Sequence, residues 1–394
     1  MLIHQLSSVI QLYIGALSLI TFPFFSLYVV NIPPSLQYTP PRNTTHLAPG
    51  GHTMPEPDIT SLPPHAQLVQ MGTAHWVSHI LYVAAKLSLA DHLAKGPART
   101  DDLAAMTNTH SPSLGRLLRT LGHLGLVTED GAGRFTLTLL GAALKNGAPG
   151  SARAAILTLA SPIMTQGWGH LLESVQTGKP GLEQAMGLPI FDWLAQHPEE
   201  ASLFSETMVS FHGTEPSAVA AAYDFSGMRM IVDVGGATGN LLTTILDQYP
   251  KPHGILYDLP HVLRDAPALL KSRGMADRVT IESGSFFDRV PAGCDAYLLS
   301  HIIHDWSEDQ CLTILRHCRH ALAPAGRVLI IEMVLPEDNA PHPGKMLDMM
   351  MLVGPGGQER TIPEYRALLD KAGLRLTKMV PTDSAVSIVE AISA

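Results

Sequence analysis

The residue best suited to chemistry in this 394-residue chain is a histidine that follows an apolar run. His304 comes directly after residues 296–303, and Glu332 lies in the next apolar run, residues 327–335. A histidine with a pKa near neutral can take a proton from a hydroxyl group, and a carboxylate can fix its tautomer and stabilise the imidazolium. His301, earlier in the same run, is interpreted as a packed side chain of a strand. The pattern therefore predicts a general base at His304.

A glycine-rich turn predicts a nucleoside cofactor. Residues 230–234 form a short apolar strand that runs into residues 235–239, GGATG, and then into a helix. Glycines at such a turn let the backbone approach a ligand, and the helix start presents its amides to it. The spacing fits neither the G-x-G-x-x-G of dinucleotide sites nor a P-loop. Asp258 ends the next strand, where a carboxylate can bind the hydroxyls of a ribose.

The elements that must position these residues alternate between strands and helices from residue 230 onward. Apolar runs predict strands at residues 230–234, 254–258, 278–282, 296–303 and 327–335. The helix that follows His304 begins with a capping box of Ser307 and Gln310. This alternation predicts a doubly wound, mostly parallel α/β sheet covered by helices. Because such sheets bind ligands at their carboxyl edge, Asp258 and His304 should lie on the same side of the domain.

Residues 65–150 have helical periodicity and end in a small hairpin at residues 133–138, which together suggest a winged helix. Winged helices often bind DNA, so a transcription regulator is one alternative. The chain carries a net charge of −9, however, and its recognition helix has little polar surface apart from Arg116, Arg119 and His123. We therefore favour a packing or dimerisation module and predict no nucleic-acid partner.

Three further segments complete the predicted organisation. Residues 151–225 form a helical bridge, and residues 226–394 form the catalytic domain. Residues 1–64 combine an apolar run at 9–30 with a Pro-rich linker. The run is long enough to cross a bilayer, but it lacks flanking Lys or Arg. We rank a gene start called too early, with Met54 as the true start, above a membrane anchor.

The cysteines predict a reducing, cytoplasmic setting, because three are too few and too odd in number for a disulfide framework. Cys311 and Cys318 share a helix face near His317 and His320, so a zinc site is an alternative there. Structural zinc sites favour closer cysteine pairs, and helix packing is the preferred interpretation. The sequence offers no carboxylate cluster dedicated to Mg²⁺, and we predict no metal.

Five short segments occur in a distinctive order: 233–236 (DVGG), 257–260 (YDLP), 284–287 (GSFF), 304–306 (HDW) and 357–361 (GQERT). In this the chain resembles the plant caffeate- and acetylserotonin-type O-methyltransferases and their bacterial relatives, over roughly residues 70–394. The resemblance implies an enzyme that uses S-adenosyl-L-methionine. It also implies a Rossmann-like, seven-stranded methyltransferase sheet and an N-terminal winged-helix domain that forms a homodimer.

The resemblance assigns roles to individual residues. The cofactor residues are Gly235 and Gly239 at the methionine end, Asp258 at the ribose, Ser285 and Phe286 at the adenine, and Ser300, where plant enzymes often have lysine. His304 becomes the general base, bracketed by Glu332 and Glu359. Ala237 replaces a common glycine, and Ser285 replaces the usual aspartate, which weakens or removes a contact to the adenine amino group.

The expected acceptor is a small aromatic molecule with a hydroxyl group. Met349, in the Met-rich stretch before Glu359, and Asp305 are candidates for binding it, as are Trp168 and Met208 in the helical bridge. Core packing explains any single one of the methionines equally well. Drift of the same fold to hydroxylation or decarboxylation is a further alternative. A membrane partner is expected only if residues 9–30 are a true anchor.

Overall fold

A computed structural model describes residues 62–394, so the predictions for residues 9–30 and for Met54 lie outside the described chain. The described chain divides into two compact units, with the boundary between Val77 and Ser78. The predicted domain limits at residues 65–150, 151–225 and 226–394 differ from this division and stay predictions. Within residues 62–394, no helix combines the length and the apolar character that crossing a membrane requires.

The N-terminal region has the helices and hairpin predicted for it. Its elements are α1 (Pro64–Thr73), α2 (His75–Lys86), α3 (Leu89–Leu93), β1 (Ala98–Arg99), α4 (Thr100–Thr107), α5 (Ser111–His123), β2 (Val127–Glu129), β3 (Arg134–Leu137) and α6 (Leu139–Ala142). The three strands form an antiparallel sheet in the order β1-β3-β2. Leu114, Leu118 and Leu121 follow helical spacing along α5 and are buried in the core of this region.

Seven helices follow before the large sheet. They are α7 (Arg153–Leu159), α8 (Pro162–Gly169), α9 (Leu171–Thr177), α10 (Gly181–Met186), α11 (Ile190–Gln196), α12 (Pro198–His212) and α13 (Glu215–Ala222). Helices α8 and α10 approach each other closely. A Cβ added at Gly181 would lie only 2.4 Å from the carbonyl oxygen of Gly167. Glycine at this crossing lets the two backbones pack together.

The rest of the chain forms a seven-stranded sheet with helices on both sides. Its elements are β4 (Met230–Val234), α14 (Asn240–Gln248), β5 (His253–Asp258), α15 (Ala266–Ser272), β6 (Val279–Ser283), β7 (Cys294–Ser300), α16 (Glu308–Ala321), β8 (Leu322–Glu332), β9 (Val334–Leu335), α17 (Gly344–Val353), β10 (Arg360–Thr361), α18 (Ile362–Lys371), β11 (Leu374–Pro381) and β12 (Ser387–Ser393). The strand order is β11-β12-β8-β7-β4-β5-β6, and β12 pairs in antiparallel fashion with both of its neighbours, β11 and β8, whereas the other pairs are parallel. The predicted doubly wound, seven-stranded fold is confirmed.

Two strands end earlier than predicted, and both differences affect the site. Strand β7 ends at Ser300 rather than at residue 303, because His301 has a left-handed backbone with φ of 54° and Ile303–Asp305 forms a single 3₁₀ turn. Strand β8 ends at Glu332, and after Met333 the next two residues form β9, which pairs in parallel with β10. The carboxyl edge of the sheet therefore presents a turn after β7 and a loop before β10.

Candidate functional site

The turn after β4 is shaped by residues that adopt left-handed backbone conformations. Gly235 and Gly239 have φ of 73° and 86°. A Cβ at Gly235 would lie 2.4 Å from Cδ1 of Ile302, so a side chain there would have to displace Ile302 as well as adopt a left-handed backbone. Ala237 also has a positive φ, 49°, which costs an L-residue other than glycine about 1–2 kcal/mol. Alanine at 237, in place of the glycine that the resemblance predicts, therefore adopts a backbone conformation that is strained for a residue with a Cβ.

Asp258, at the end of β5, holds the turn in place. Its Oδ2 accepts a hydrogen bond of 2.9 Å from the amide of Ala237, and its Oδ1 accepts one of 2.7 Å from the amide of Leu259. Burial raises the pKa of Asp258, and the two amides counteract that rise. Each carboxylate oxygen keeps a lone pair for a further donor. This buttressing of the glycine turn is a role that the sequence did not predict.

A second carboxylate lies beside the same turn. Burial, together with the nearby Asp258, raises the pKa of Asp233 to about 7. Its Oδ2 is buried and, among residues 62–394, has no hydrogen-bond partner. An unpartnered buried acceptor of this kind fits a ligand that brings hydrogen-bond donors to the turn.

The predicted adenine residues lie beside an aromatic group that the sequence analysis missed. Phe286 packs edge to face against Phe287 and Trp306, with ring centroids 4.8 and 5.8 Å apart, and Phe191 of α11 lies 5.1 Å from Trp306. The backbone carbonyl of Phe286 accepts a hydrogen bond of 2.9 Å from Nδ1 of His317. The signal for this group was present, since Trp306 directly follows His304 and Asp305 in the HDW segment.

The two serines predicted to bind the cofactor lie in different parts of the domain. The hydroxyl of Ser285 accepts a hydrogen bond of 3.2 Å from the amide of Phe287, which leaves its own proton free to be donated. Ser300 is the last residue of β7, next to β8. The contributions of Ser285 and Ser300 to cofactor binding stay predictions.

The structure brings His304 and two glutamates together in a buried cluster. Nδ1 of His304 lies 2.6 Å from Oε1 of Glu359, and neither side chain exceeds 6 % exposure. Oε1 of Glu332 instead accepts a hydrogen bond of 3.0 Å from the backbone amide of His304, while its Oε2 accepts one from the hydroxyl of Tyr365. The partner of the imidazole is therefore Glu359, whereas the sequence alone had offered Glu332 first. Glu332 holds the backbone of the turn.

The charges around His304 favour its protonated form. Burial alone lowers the pKa of the imidazole, but the carboxylates of Asp305, Glu359 and Glu332 outweigh it and raise the pKa to about 10. Burial also raises the pKa of Glu359, against the opposing effect of its bond to His304. One proton is thus firmly held between His304 and Glu359. Because Nδ1 is engaged by Glu359, Nε2 is the nitrogen that remains for a substrate.

Glu359 reaches His304 through the pairing of β9 with β10 and through a close backbone approach. Arg360, the next residue, pairs with Val334 across those two strands. A Cβ added at Gly357 would lie 1.9 Å from the carbonyl oxygen of His304. Only glycine allows the loop that carries Glu359 to pass this close.

We expect Gly357→Ala to separate Glu359 from His304, because the added methyl group displaces one of the two backbone segments. Overpacking of this kind typically costs about 1–3 kcal/mol, which should lower the melting temperature and, with the imidazole misplaced, the turnover. Thermal unfolding and kcat would be measured beside Gly169→Ala, where a Cβ meets nothing within 4 Å. Equal behaviour of the two variants would show that the approach at Gly357 does not matter.

A second polar group lies next to His304, and it includes His301, which the sequence predicted to be a packed side chain of a strand. His301 is largely buried, and its Nε2 lies 2.9 Å from Oε2 of Glu215 at the start of α13. Its ring stacks on that of His212 with centroids 4.2 Å apart and 8° between the planes. Among residues 62–394, two sets of side chains have atoms capable of binding a metal within 4.8 Å of one another. One is the trio of His212, Glu215 and His301, and the other is His304 with Glu332 and Glu359.

The other candidates for acceptor binding are more scattered. Oδ1 of Asp305 lies 3.7 Å from Nε2 of His304, beyond hydrogen-bond distance. Trp168, Met208 and Met349 are half-buried on α8, α12 and α17. An apolar cavity in the helical region is lined by other residues, among them Phe204. The roles of Trp168, Met208 and Met349 stay predictions.

The cysteines are free thiols in buried surroundings. Cys311 donates a hydrogen bond from Sγ to the carbonyl of Ile303, and burial raises the pKa of Cys318 to about 12. His317, the possible zinc partner, is engaged with Phe286. These contacts agree with helix packing, the preferred interpretation of the pair.

The chain is similar to known O-methyltransferases in sequence and in fold. The family model of the O-methyltransferase domain matches residues 168–375, and that of the O-methyltransferase dimerisation domain matches residues 69–146. The phenazine O-methyltransferase PhzM of Lysobacter antibioticus is 41% identical over 84% of this chain and 97% of its own length. The aclacinomycin 10-hydroxylase RdmB of Streptomyces purpurascens is 36% identical over 75% of this chain and 80% of its own length.

A solved structure supports the fold and the cofactor. The O-methyltransferase NcsB1 from neocarzinostatin biosynthesis, in complex with S-adenosyl-L-homocysteine and 1,4-dihydroxy-2-naphthoic acid, matches with a TM-score of 0.73. It is 33% identical in sequence, and the match covers 81% of this chain and 96% of that one.

Proposed function

We propose, from the premise that this chain belongs to the O-methyltransferase family and uses S-adenosylmethionine, that it methylates a hydroxyl group of a small aromatic molecule with His304 as general base. The observation that carries the proposal is the buried hydrogen bond between Nδ1 of His304 and Glu359, which leaves Nε2 for the acceptor. A base of this kind is needed when the methyl acceptor is a hydroxyl group, because the hydroxyl must lose its proton.

The residues at the carboxyl edge of the sheet fit the cofactor. Glycine at 235 leaves the turn after β4 open to a ligand, and Asp258 keeps lone pairs for ribose hydroxyls. The residues proposed to hold the cofactor are Gly235, Gly239, Asp258, Ser285, Phe286 and Ser300. When bound, S-adenosylmethionine supplies a methyl group already activated by its sulfonium. The protein has only to orient the acceptor oxygen, exclude water and remove a proton.

His304 is suited to that proton transfer. A phenol has a pKa of about 10, so little phenolate exists at neutral pH without a base. The surrounding carboxylates raise the pKa of His304 to about 10, so its imidazole is a stronger base toward a phenol than an ordinary histidine is. Glu359 stabilises the imidazolium that results. The same carboxylates leave only a small fraction of His304 unprotonated at neutral pH.

A screen of phenolic acceptors with isotope-labelled S-adenosylmethionine tests the proposal. Phenazine, naphthoate and hydroxybenzoate phenols are the first compounds to include, since curated relatives act on a phenazine, a naphthoate and a hydroxybenzoate. Mass spectrometry separates an added methyl group from an added oxygen atom. Label in the product supports O-methyl transfer. Incorporation of oxygen without the labelled methyl group would favour hydroxylation, the reaction for which the relative RdmB is named.

Asp258→Ala is expected to weaken binding of S-adenosylmethionine by roughly 10- to 100-fold, because a hydrogen bond to a charged group contributes about 1.5–3 kcal/mol. Isothermal calorimetry with S-adenosylhomocysteine would measure the change. Asp265→Ala, at an exposed aspartate that follows β5, serves as a control. Because Asp258 also holds the glycine turn, the melting temperatures of the two variants would be compared as well. An unchanged dissociation constant for Asp258→Ala would contradict the assignment.

We also propose that the chain forms a homodimer through residues 65–150, which overlap the dimerisation domain matched at 69–146. Apolar side chains are exposed there, among them Val83, Met106 and Leu139, the last at 93 %. Sedimentation at micromolar concentration should give the mass of a dimer. Leu139→Asp should weaken it, whereas Leu172→Asp, exposed but outside the region, should not. A monomer of the unaltered protein would contradict the proposal.

A further inference from the structure

The trio of His301, Glu215 and His212 has no part in the chemistry proposed above, yet it lies directly beside the base. The ring centroids of His301 and His304 are 5.2 Å apart. The side chains of His301 and Glu215 are only 8 % and 12 % exposed. Three polar side chains from the ends of α12, α13 and β7 therefore meet at the carboxyl edge of the sheet, where ligands bind in this class of fold.

The backbone at His301 points in the same direction. Its φ of 54° lies in the left-handed region, which is uncommon for a residue with a Cβ and is concentrated at ligand sites. This conformation ends β7 at Ser300 and directs His301 toward Glu215 instead of continuing the strand.

The geometry of the trio does not suit a metal ion. The lone pair of an imidazole nitrogen lies in the plane of its ring. The rings of His301 and His212 are parallel within 8°, so their lone pairs run side by side and do not converge on one point. Glu215 is already hydrogen-bonded to His301 at 2.9 Å.

The hydrogen bonding instead suits a hydroxyl group. Since a carboxylate only accepts, Nε2 of His301 carries the proton toward Glu215, and Nδ1 is the ring nitrogen left for another polar group. Within the described part of the chain, Nδ1 has no hydrogen-bond partner, and no lysine or arginine forms an ion pair with Glu215. An acidic substituent would lie close to the carboxylate of Glu215. A hydroxyl can either donate to Nδ1 or accept from it.

We propose that His301, oriented by Glu215 and backed by His212, binds a second hydroxyl group of the acceptor, adjacent to the hydroxyl that His304 deprotonates. The spacing of the two imidazoles lets neighbouring substituents of one aromatic ring reach one imidazole each. This inference rests on the proposed function and specifies its substrate class as ortho-dihydroxy aromatics. His301 is a specificity-determining residue in this scheme, and Glu215 is a positioning residue that acts through it.

Three naphthalenes that differ at one position test the proposal: 2-naphthol, 2,3-dihydroxynaphthalene and 3-hydroxy-2-naphthoate. The unaltered enzyme should show kcat/KM for the diol at least roughly tenfold above that for 2-naphthol, as one hydrogen bond provides. This exceeds the twofold that follows from two equivalent hydroxyls. 3-Hydroxy-2-naphthoate should be no better than 2-naphthol. In His301→Phe, the ratio of diol to naphthol should fall to about two.

His301→Asn is the matched control, because asparagine tolerates a left-handed backbone and keeps a polar atom near the position of Nδ1. It should retain more of the preference for the diol than His301→Phe does. Equal losses on all three compounds, or activation of the unaltered enzyme by added Zn²⁺ or Fe²⁺ that His301→Phe abolishes, would overturn the inference. Failure of the unaltered enzyme on the diol while it methylates other phenols of the screen would also overturn the inference, whereas failure on every phenolic acceptor would contradict the proposed function itself.

Discussion

His304→Ala is expected to lower methyl transfer by roughly 10²-fold or more, because a positioned general base contributes about 10²–10⁴-fold. Cofactor binding should stay near normal, since His304 faces Glu359 and Asp305 and not the glycine turn. The measurements are kcat with labelled S-adenosylmethionine and the dissociation constant of S-adenosylhomocysteine. Both are needed, because removing a buried imidazole also leaves Glu359 without its partner.

His253→Ala is a suitable control for His304→Ala, because His253 is exposed at the start of β5, away from the edge that carries the site. His304→Gln adds a second comparison with a side chain that is polar but cannot act as a base near neutral pH. If the alanine variant lost cofactor affinity in the same proportion as turnover, His304 would have a structural role.

Glu359→Gln is expected to lower kcat by roughly 10²-fold or more and to shift the pH profile. A glutamine can donate its amide hydrogen to Nδ1, which would place the imidazole proton on Nε2, the nitrogen that must accept. The carboxylate also raises the pKa of His304, so its removal lowers that pKa. In the unaltered enzyme, the base form of His304 increases as pH rises through its raised pKa. The rise of kcat/KM should therefore begin at lower pH in Glu359→Gln.

Glu332→Gln separates these two effects. Its amide oxygen can still accept from the backbone of His304, and Tyr365 can accept from its nitrogen, so the fold of the turn should persist. The loss of charge again lowers the pKa of His304, but the bond from Nδ1 to Glu359 keeps the productive tautomer. We expect the pH profile to shift with a smaller loss of kcat than in Glu359→Gln. Identical losses in the two variants would argue against a specific role for Glu359 at the ring.

A buried arginine helps to hold this acidic cluster together. Arg360 is 2 % exposed, and its guanidinium donates to the carbonyl oxygens of Ile303 and Gln358. It thereby ties the turn that carries His304 to the loop that carries Glu359. Its place in the GQERT segment marks it by sequence, but its partners are backbone groups that no motif identifies.

The sequence by itself determined the architecture and the location of the site. The apolar run of β8 indicated a strand buried on both faces, and Ser307 with Gln310 indicated the start of α16, where the capping box is present. Parallel strands end at one edge, so the order of elements alone placed Asp258 and His304 on the same side of the sheet. These properties follow from local periodicity and capping, which are contained in short stretches of chain.

The tertiary structure alone decided which groups touch. Glu332 and Glu359 were equivalent as acids in the sequence, and only the parallel pairing of β9 with β10 and the absence of a side chain at Gly357 bring Glu359 to the imidazole. His301 left its predicted strand because its left-handed backbone allows a bond to Glu215, far away in the chain. Hydrogen bonds act over about 3 Å, whereas periodicity carries no information on distances between remote segments. The identity of each partner is therefore fixed only when the chain has folded.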